Sequence, residues 1–299
     1  MKLSTLIEIA GNKEKFVSVE NYVDFCRSYI DFLDECSPTV ITSMTEPNYK
    51  FIQYDGGFGH RITRPINSDL FLGPKLIERS SADFLRMLPD IRSIKDDHSA
   101  RETFNKMVYT CQQTIGLALD ATAGGNRSKK VNGDLFERFI QLLITRAGLS
   151  AASETENIPV MGTDVQMKFQ HDIVLRSPKD ETIKAIGSVK ITSKDRGDRV
   201  FFDSYLYNKL TGGDILHFAI YLHDVQRKGT SGSHRQRSNL RIGSTFLPGH
   251  FRAYTVFIAP LEGVYYCDLR PMMKTDEFLK QHIRGIDHLF VEDMWNFCR

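Results

Sequence analysis

The pattern of apolar and polar residues divides the chain into a helical first part and a mixed second part. Apolar residues recur at spacings of three and four in residues 21–36 and 99–120, which predicts two amphipathic helices. Between them, residues 46–69 contain glycines and prolines that exclude a long helix. Residues 1–121 are therefore expected to form a mostly helical N-terminal accessory region.

The segment TAGGNRSKKVNG, residues 122–133, is the clearest candidate for a boundary. It is glycine-rich, polar and basic, and it lies between two apolar periodic stretches. Either a domain junction or a loop that contacts phosphate would have this composition. The next stretch, residues 134–149, has apolar residues at helical spacing and Gly148 near its end, so it predicts a helix. We expect residues 122–299 to form the second domain.

Short runs rich in β-branched and aromatic residues follow that helix and predict strands. They are HDIVLRS (171–177), KAIGSVKITS (184–193), RAYTVFIAPL (252–261) and GVYYCDL (263–269). Residues 178–180 predict a turn between the first two strands, and FFDSYLYNKL (201–210) predicts a helix after the second. This order of strands and helices predicts an α/β fold and not a β-sandwich.

The composition is that of an ordinary globular protein, with 41% hydrophobic and 25% charged residues. Because 39 Lys and Arg nearly balance 37 Asp and Glu, any affinity for nucleic acid must come from local clusters. The five cysteines are scattered without a CxxC pair, which favours a reduced cytoplasm. No apolar run reaches the ~18 residues of a membrane span. We therefore expect a soluble, cytoplasmic protein without a membrane partner.

One cluster of positive charge lies in residues 225–241, which contain no acidic residue. The basic residues there include Arg227, Lys228, Arg235 and Arg237. Arg and Lys side chains that contact DNA phosphates release counterions and position the duplex without reading bases. A flexible surface loop exposed to solvent would have the same composition, so both interpretations remain open.

An acid and a lysine on adjacent predicted strands are the strongest candidates for chemistry. Asp172 lies near the start of one strand, and Lys190 lies on the next strand, 18 residues later (190 − 172). Hydrolysis of a phosphodiester needs carboxylates that hold a divalent cation, and a lysine near the attacking water assists it. This is the layout of the PD-(D/E)XK nucleases, although Ser188 stands where their second acidic residue is expected.

The continuation of this strand, SVKITSKDRGDRVFFDSYLYNKL (188–210), resembles the EcoRII and NgoMIV branch of restriction endonucleases. In that branch a small residue occupies the usual acidic position, and a carboxylate from the following helix binds the metal. The resemblance implies that Asp203 takes this role with Asp172, with Asp198 as a weaker alternative. An acid in the first turn of a helix, stabilised by the helix dipole, is the other explanation for Asp203.

The same resemblance assigns further residues to metal and DNA. Lys194, Asp195 and Arg196 match a triplet that reads adjacent C:G pairs, which implies a target with a GG/CC step. Glu137, on the helix before the strands, matches an acidic residue that completes the metal site. Arg199 is expected to join the basic residues of 225–241 at the DNA backbone.

Taken together, the resemblance implies that residues 122–299 form a restriction-endonuclease-like core, with a mixed central sheet flanked by helices. It implies a Mg²⁺-dependent type II restriction endonuclease of bacteria or archaea that cuts double-stranded DNA at a short palindromic site as a homodimer or homotetramer. Two alternatives remain open: a structure-specific or repair nuclease, and a catalytically inactive DNA-binding protein. In the first 120 residues, Arg61, Arg64 and Lys75 are individual candidates for DNA contact.

Overall fold

The structure is a computed structural model and describes residues 1–54, 61–122, 125–194, 197–229 and 239–299. Contacts divide the chain into two compact units. Unit 1 comprises residues 1–88, 97–139 and 225–245, and unit 2 comprises residues 89–96, 140–224 and 246–299. The chain therefore passes between the units several times. The division into residues 1–121 and 122–299 stays a prediction. The accessory role of residues 1–121 stays a prediction.

Unit 1 combines helices with two small sheets. Its helices are α1 (Leu3–Gly11), α2 (Val19–Cys36), α3 (Pro74–Met87), α4 (His98–Asp120) and the first part of α5 (Gly125–Arg146). Its strands are β1 (Thr39–Thr42), β2 (Tyr49–Gln53), β3 (Ile66–Asn67), β8 (Val225–Lys228) and β9 (Arg241–Ser244). In both sheets the neighbouring strands are antiparallel. The helical N-terminal region is confirmed.

The two predicted N-terminal helices form for identifiable local reasons. α2 begins with a capping box, in which Ser18 and Asn21 satisfy each other's backbone N–H groups. Its Tyr22 stacks on Phe139 of α5, with 4.4 Å between ring centroids, and its hydroxyl donates to the Leu135 carbonyl at 2.8 Å. α4 is buried on all sides from residue 107 to residue 119, so it is the central helix of unit 1.

The part of the basic segment from Gly125 to Gly133 is helical and not a loop, because α5 begins at Gly125. Its polar residues find partners within unit 1. The Gln112 amide donates to both oxygens of Asn132 at 3.1 Å, and Asp134 accepts hydrogen bonds from Lys13 and Lys130. Glycine and asparagine lower helix propensity, but these contacts outweigh it.

Unit 2 is built on a mixed sheet, six-stranded in the described residues, with the order β11-β10-β7-β6-β5-β4. Its strands are β4 (Ala151–Pro159), β5 (Gln166–Arg176), β6 (Ile183–Thr192), β7 (Leu216–His223), β10 (Gly263–Tyr266) and β11 (Ile283–Gly285). β4, β5 and β6 run antiparallel, whereas β6, β7, β10 and β11 run parallel. The expected mixed central sheet is confirmed.

Helices of unit 2 pack on this sheet. They are α6 (Gly197–Thr211), α7 (Pro248–Phe257) and the short helices α8 (Pro271–Thr275), α9 (Leu279–His282), α10 (Ile286–His288) and α11 (Met294–Phe297). Val200 and Phe201 of α6 join Tyr221 of β7 and Phe251 of α7 in one buried cluster. In the described residues, no helix is long and apolar enough to cross a membrane.

Two sequence predictions, one of a strand and one of a loop, need correction. The predicted strand at 252–261 lies mostly in α7, because Pro248 starts a helix whose buried residues, Phe251 and Thr255, are four apart. The basic segment 225–241 is not a continuous loop, because its ends form the antiparallel strands β8 and β9. These strands pack through Val225, Leu240 and Ile242 on aromatic residues of β2.

Candidate active site

Asp172 and Lys190 lie together on adjacent strands of unit 2. Asp172 is buried on β5, and its Oδ2 accepts hydrogen bonds from the Val189 backbone N–H, at 2.8 Å, and from the Lys190 ammonium. The Lys190 ammonium also donates to the Val189 carbonyl at 3.0 Å. The side chains of Lys190 and Asp172 are only 20% and 9% exposed. The two residues that the sequence singled out thus form a largely buried ion pair.

A β-bulge places Asp172 in this position. Glu154 of β4 faces His171, but Ala152, two residues earlier, faces Val174, so β5 carries one extra residue in this stretch. On the other side, pairing with β6 extends only to Ile173, which faces Gly187. A bulge bends a strand and redirects a side chain, and bulges are common beside active sites. Asp172 therefore lies outside the regular ladders and reaches the Val189–Lys190 segment.

The bulge also interrupts the alternation that, in a regular strand, would direct the side chains of His171 and Asp172 to opposite faces. The described hydrogen-bond partner of the His171 ring is Glu156, not Asp172 or Lys190. The ring Nε2 lies 3.1 Å from Glu156 Oε2, and the Tyr207 hydroxyl donates to the same oxygen at 2.8 Å. Burial, and then the charge of His171, lower the pKa of nearby His217 to about 4. This cluster is a polar part of the core with a neutral His217 at pH 7.

Ser188 sits on β6 two residues before Lys190, facing Ala219 of β7. It is partly exposed, whereas its neighbours Gly187 and Val189 are buried. Since a serine brings no carboxylate, any second acidic ligand has to come from another element.

The proposed replacement, Asp203, lies on α6 with its side chain 46% exposed. Its Oδ2 is 3.3 Å from Arg199 Nε, so the carboxylate forms an ion pair one helical turn away. The structure gives it no contact with Asp172 or Lys190. The role of Asp203 as a metal ligand stays a prediction.

Asp198 is exposed in the first turn of the same helix. Burial, and then the charge of Asp198, raise the pKa of Tyr221. Tyr221 is the residue of β7 that faces Lys190 of β6. Asp198 stays the alternative carboxylate, since its charge acts on a residue that is paired with Lys190.

Glu137 lies on α5 in the part of the helix that belongs to unit 1, whereas Asp172 and Lys190 belong to unit 2. Among the described residues, no group of three or more His, Cys, Asp or Glu side chains is close enough to hold a metal ion. Asp172 provides a carboxylate oxygen, the type of ligand that Mg²⁺ prefers. Both hydrogen bonds that the structure describes for this carboxylate are accepted by Oδ2 and not by Oδ1. The residue thus fits a magnesium ligand, and further ligands are proposals.

Of the predicted base-reading triplet, residues 194–196, the structure describes only Lys194. Lys194 is exposed in the turn that follows β6, and Asp195 and Arg196 lie outside the described residues. Arg199 is exposed in the first turn of α6 and pairs with Asp203.

Of the residues predicted to bind the DNA backbone in segment 225–241, the structure describes only some. Arg227 and Lys228 are exposed on β8, with Arg227 donating to the Ile62 carbonyl, and Arg235 and Arg237 lie outside the described residues. Lys228 faces another cation, Arg241, directly across the two-stranded sheet. Like charges in this arrangement destabilise a sheet unless an anion lies between them.

Two further candidates for DNA contact, Arg61 and Arg64, form hydrogen bonds with other residues of this chain. Arg64 forms a bidentate ion pair with Asp120, with Nε and Nη2 at 2.8 and 2.9 Å from its oxygens, and its side chain is only 16% exposed. Arg61 donates to the Thr122 carbonyl. The guanidinium of Arg64 crosses Gly116, where a Cβ would overlap it. Arg64 is therefore structural, while Lys75 is exposed.

No protein-family model matches the chain, and no curated protein matches it in sequence. Among solved structures, it is similar to the crystal structure of the Type IIP restriction endonuclease Kpn2I, with a TM-score of 0.73 and 18% identity over 99% of this chain and 97% of that chain. A PspGI–substrate DNA complex matches at a TM-score of 0.45 and 12% identity, over 75% and 92% of the two chains. An AgeI–DNA complex matches at 0.40 and 13%, over 74% and 87%. The likeness to Kpn2I establishes that the chain has the restriction-endonuclease fold.

Proposed function

We propose that the protein is a type II restriction endonuclease, which hydrolyses phosphodiesters of double-stranded DNA at a short palindromic site and requires Mg²⁺. The observation that carries this proposal is the largely buried Asp172–Lys190 pair on a restriction-endonuclease fold. A lysine held in the interior costs free energy unless a partner or a function compensates it. The pair lies on the strands where the sequence motif predicted the active site.

In this proposal Asp172 and Lys190 have distinct roles. Lys190 carries a positive charge that stabilises the negative charge developing on the phosphate, and it assists deprotonation of the attacking water. Asp172 fixes the lysine through Oδ2 and is the first magnesium ligand. When bound, Mg²⁺ supplies a Lewis acid for the phosphate and lowers the pKa of water. The buried Val189 N–H keeps the Asp172 carboxylate oriented.

Asp203 and Glu137 are proposed as the other ligands, with Asp198 as the alternative on the same helix. We expect Asp203→Asn to raise the Mg²⁺ concentration for half-maximal cleavage by about tenfold or more, since one negative ligand is lost. Titration of cleavage rate against Mg²⁺ measures this, with Asp214→Asn, an exposed acid outside the site, as the control.

The same titration on Asp198→Asn separates the two candidate carboxylates. If Asp203→Asn needs the wild-type Mg²⁺ concentration for half-maximal cleavage and Asp198→Asn needs a higher one, the ligand is Asp198, in the first turn of α6. A normal response of both variants would contradict the idea that α6 supplies a ligand.

Contacts to DNA are proposed at two places. Lys194, Asp195 and Arg196, after β6, read a GG/CC step, and Arg199 contacts the backbone beside them. On β8 and β9, Lys228 and the opposing Arg241 bind phosphate, which would relieve their mutual repulsion. Arg227, Arg235 and Arg237 are proposed to extend this backbone contact.

A palindromic target requires a two-fold symmetric protein, so we propose a homodimer, or a tetramer made of two dimers. Exposed apolar side chains on α6 and α7 support this proposal. Phe257 is 84% and Val256 is 61% exposed on α7, while Phe202 is 46% exposed on α6 and lies 6.2 Å from the Tyr254 ring. Exposed apolar patches of this kind mark interaction surfaces.

Digestion of plasmid DNA in Mg²⁺ tests the proposed function directly. We expect discrete fragments whose sequenced ends share one short site, because a restriction enzyme cuts only where it reads bases. EDTA should abolish the reaction. Cutting at DNA structures without a common sequence would indicate a repair nuclease. Binding without cutting in Mg²⁺ or Mn²⁺ would indicate an inactive DNA-binding protein.

A further inference from the structure

We propose that Gln141 is a positioning residue that holds Asp172 in its active orientation from the backbone side. The Gln141 side-chain amide donates from Nε2 to the backbone carbonyl of Asp172 at 2.6 Å. This inference rests on the proposed nuclease function only for its kinetic consequence. The positioning itself can be measured without cleavage.

The need for such a residue arises from the bulge in β5. Asp172 has no paired residue on β4, where the register passes from His171 to Val174, and pairing with β6 extends only to Ile173. A backbone carbonyl in the interior costs free energy unless it accepts a hydrogen bond. Gln141 supplies a side-chain donor to this carbonyl at the point where the registers of β5 with β4 and β6 are interrupted.

The helix that carries Gln141 is firmly placed. Its neighbours Ile140, Leu143 and Ile144 on α5 are all 0% exposed, so the amide is presented from a packed helix rather than from a loop. Functional side chains are held most accurately when rigid elements support them.

Asp172 is consequently fixed at two ends. Its carbonyl is bound by α5 through Gln141, and its carboxylate is bound by β6 through Val189 and Lys190. Loss of the bond to Gln141 would remove a restraint on the peptide after Asp172, at the bulge where the strand registers of β5 are interrupted. The carboxylate would then leave the Val189 N–H for part of the time, and Lys190 and the metal would lose a fixed partner.

The test uses Gln141→Met, which keeps the length and helix propensity of the side chain but removes the donor. The matched control is Gln170→Met, an exposed position on β5 two residues before Asp172. In protein labelled with ¹⁵N-valine, hydrogen exchange is measured at the Val189 and Val264 amides. Val264 lies on β10, paired with both β7 and β11, so it reports global opening of unit 2.

We expect Gln141→Met to accelerate exchange at Val189 by about tenfold or more, with Val264 unchanged, since one local opening is made easier. Cleavage should lose about tenfold to a hundredfold in kcat with little change in KM, the cost of a slightly displaced group. The Mg²⁺ requirement should rise. Gln170→Met should behave as the wild-type protein in every measurement.

Unchanged exchange at Val189 in Gln141→Met would overturn the inference. Equal acceleration at Val189 and Val264 would also overturn it, since Gln141 would then only support the fold. If the wild-type protein fails to cut DNA, the proposed function fails, but selective acceleration at Val189 would still establish the positioning. Selective acceleration with unaltered cleavage by an active enzyme would overturn the kinetic consequence.

Discussion

Asp172→Asn and Lys190→Ala are each expected to reduce DNA cleavage by about a thousandfold or more, because each removes charge stabilisation in a site shielded from water. Affinity for the uncut target should change little, since base and phosphate contacts lie on other residues. Single-turnover cleavage in Mg²⁺ and binding to the same DNA in Ca²⁺ measure the two quantities separately.

Controls for this prediction lie on the same strand and the turn before it. Asp164→Asn and Lys168→Ala make the same chemical changes at exposed positions and should cut at the normal rate. Because breaking a buried ion pair also costs stability, thermal unfolding of all four variants must accompany the kinetics. Substantial cleavage by folded Asp172→Asn and Lys190→Ala would refute the site assignment.

Gly187→Ala is expected to destabilise the protein by about 1–3 kcal/mol, the usual cost of overpacking a core. Gly187 is buried on β6, directly beside Phe218 of β7 in the ladder. A Cβ at this position would lie 2.4 Å from Phe218 Cζ, and Phe218 is itself stacked on Phe297 at 5.6 Å. The ring cannot yield without disturbing α11, so the methyl group has to displace the strand that carries Lys190.

Gly133→Ala is the control for this prediction. Gly133 lies inside α5, and an added Cβ there would have nothing within 4 Å. Alanine is the better helix former, so this change should stabilise by up to about 1 kcal/mol. Opposite shifts in melting temperature are expected for the two variants. Equal shifts, or no shift in either variant, would show that the contact of the new methyl group with Phe218 does not destabilise the protein.

Sequence periodicity was most reliable where a single helix or strand determines the pattern. It predicted α2, α4 and the second half of α5, because their apolar side chains repeat with the period of a helix, while β-branched and aromatic content predicted the strands β5 and β6. It failed at α7, where β-branched and aromatic residues suggested a strand. Pro248 at the helix start and packing around Phe251 outweighed that propensity.

The sequence by itself determined which residues could carry the chemistry. Asp172 and Lys190 were identified from their residue types and from their spacing of 18 residues on two adjacent predicted strands. Residue type also marked Ser188 as a position where a carboxylate is missing.

Only the tertiary structure decided how these residues meet. The bulge at Asp172, the hydrogen bond from the Gln141 amide and the effect of the Asp198 charge on the pKa of Tyr221 depend on strand register and on helix placement. The tertiary structure also assigned Arg64 to Asp120. Contacts between residues distant in sequence follow from how elements pack, and no local pattern of side chains encodes them.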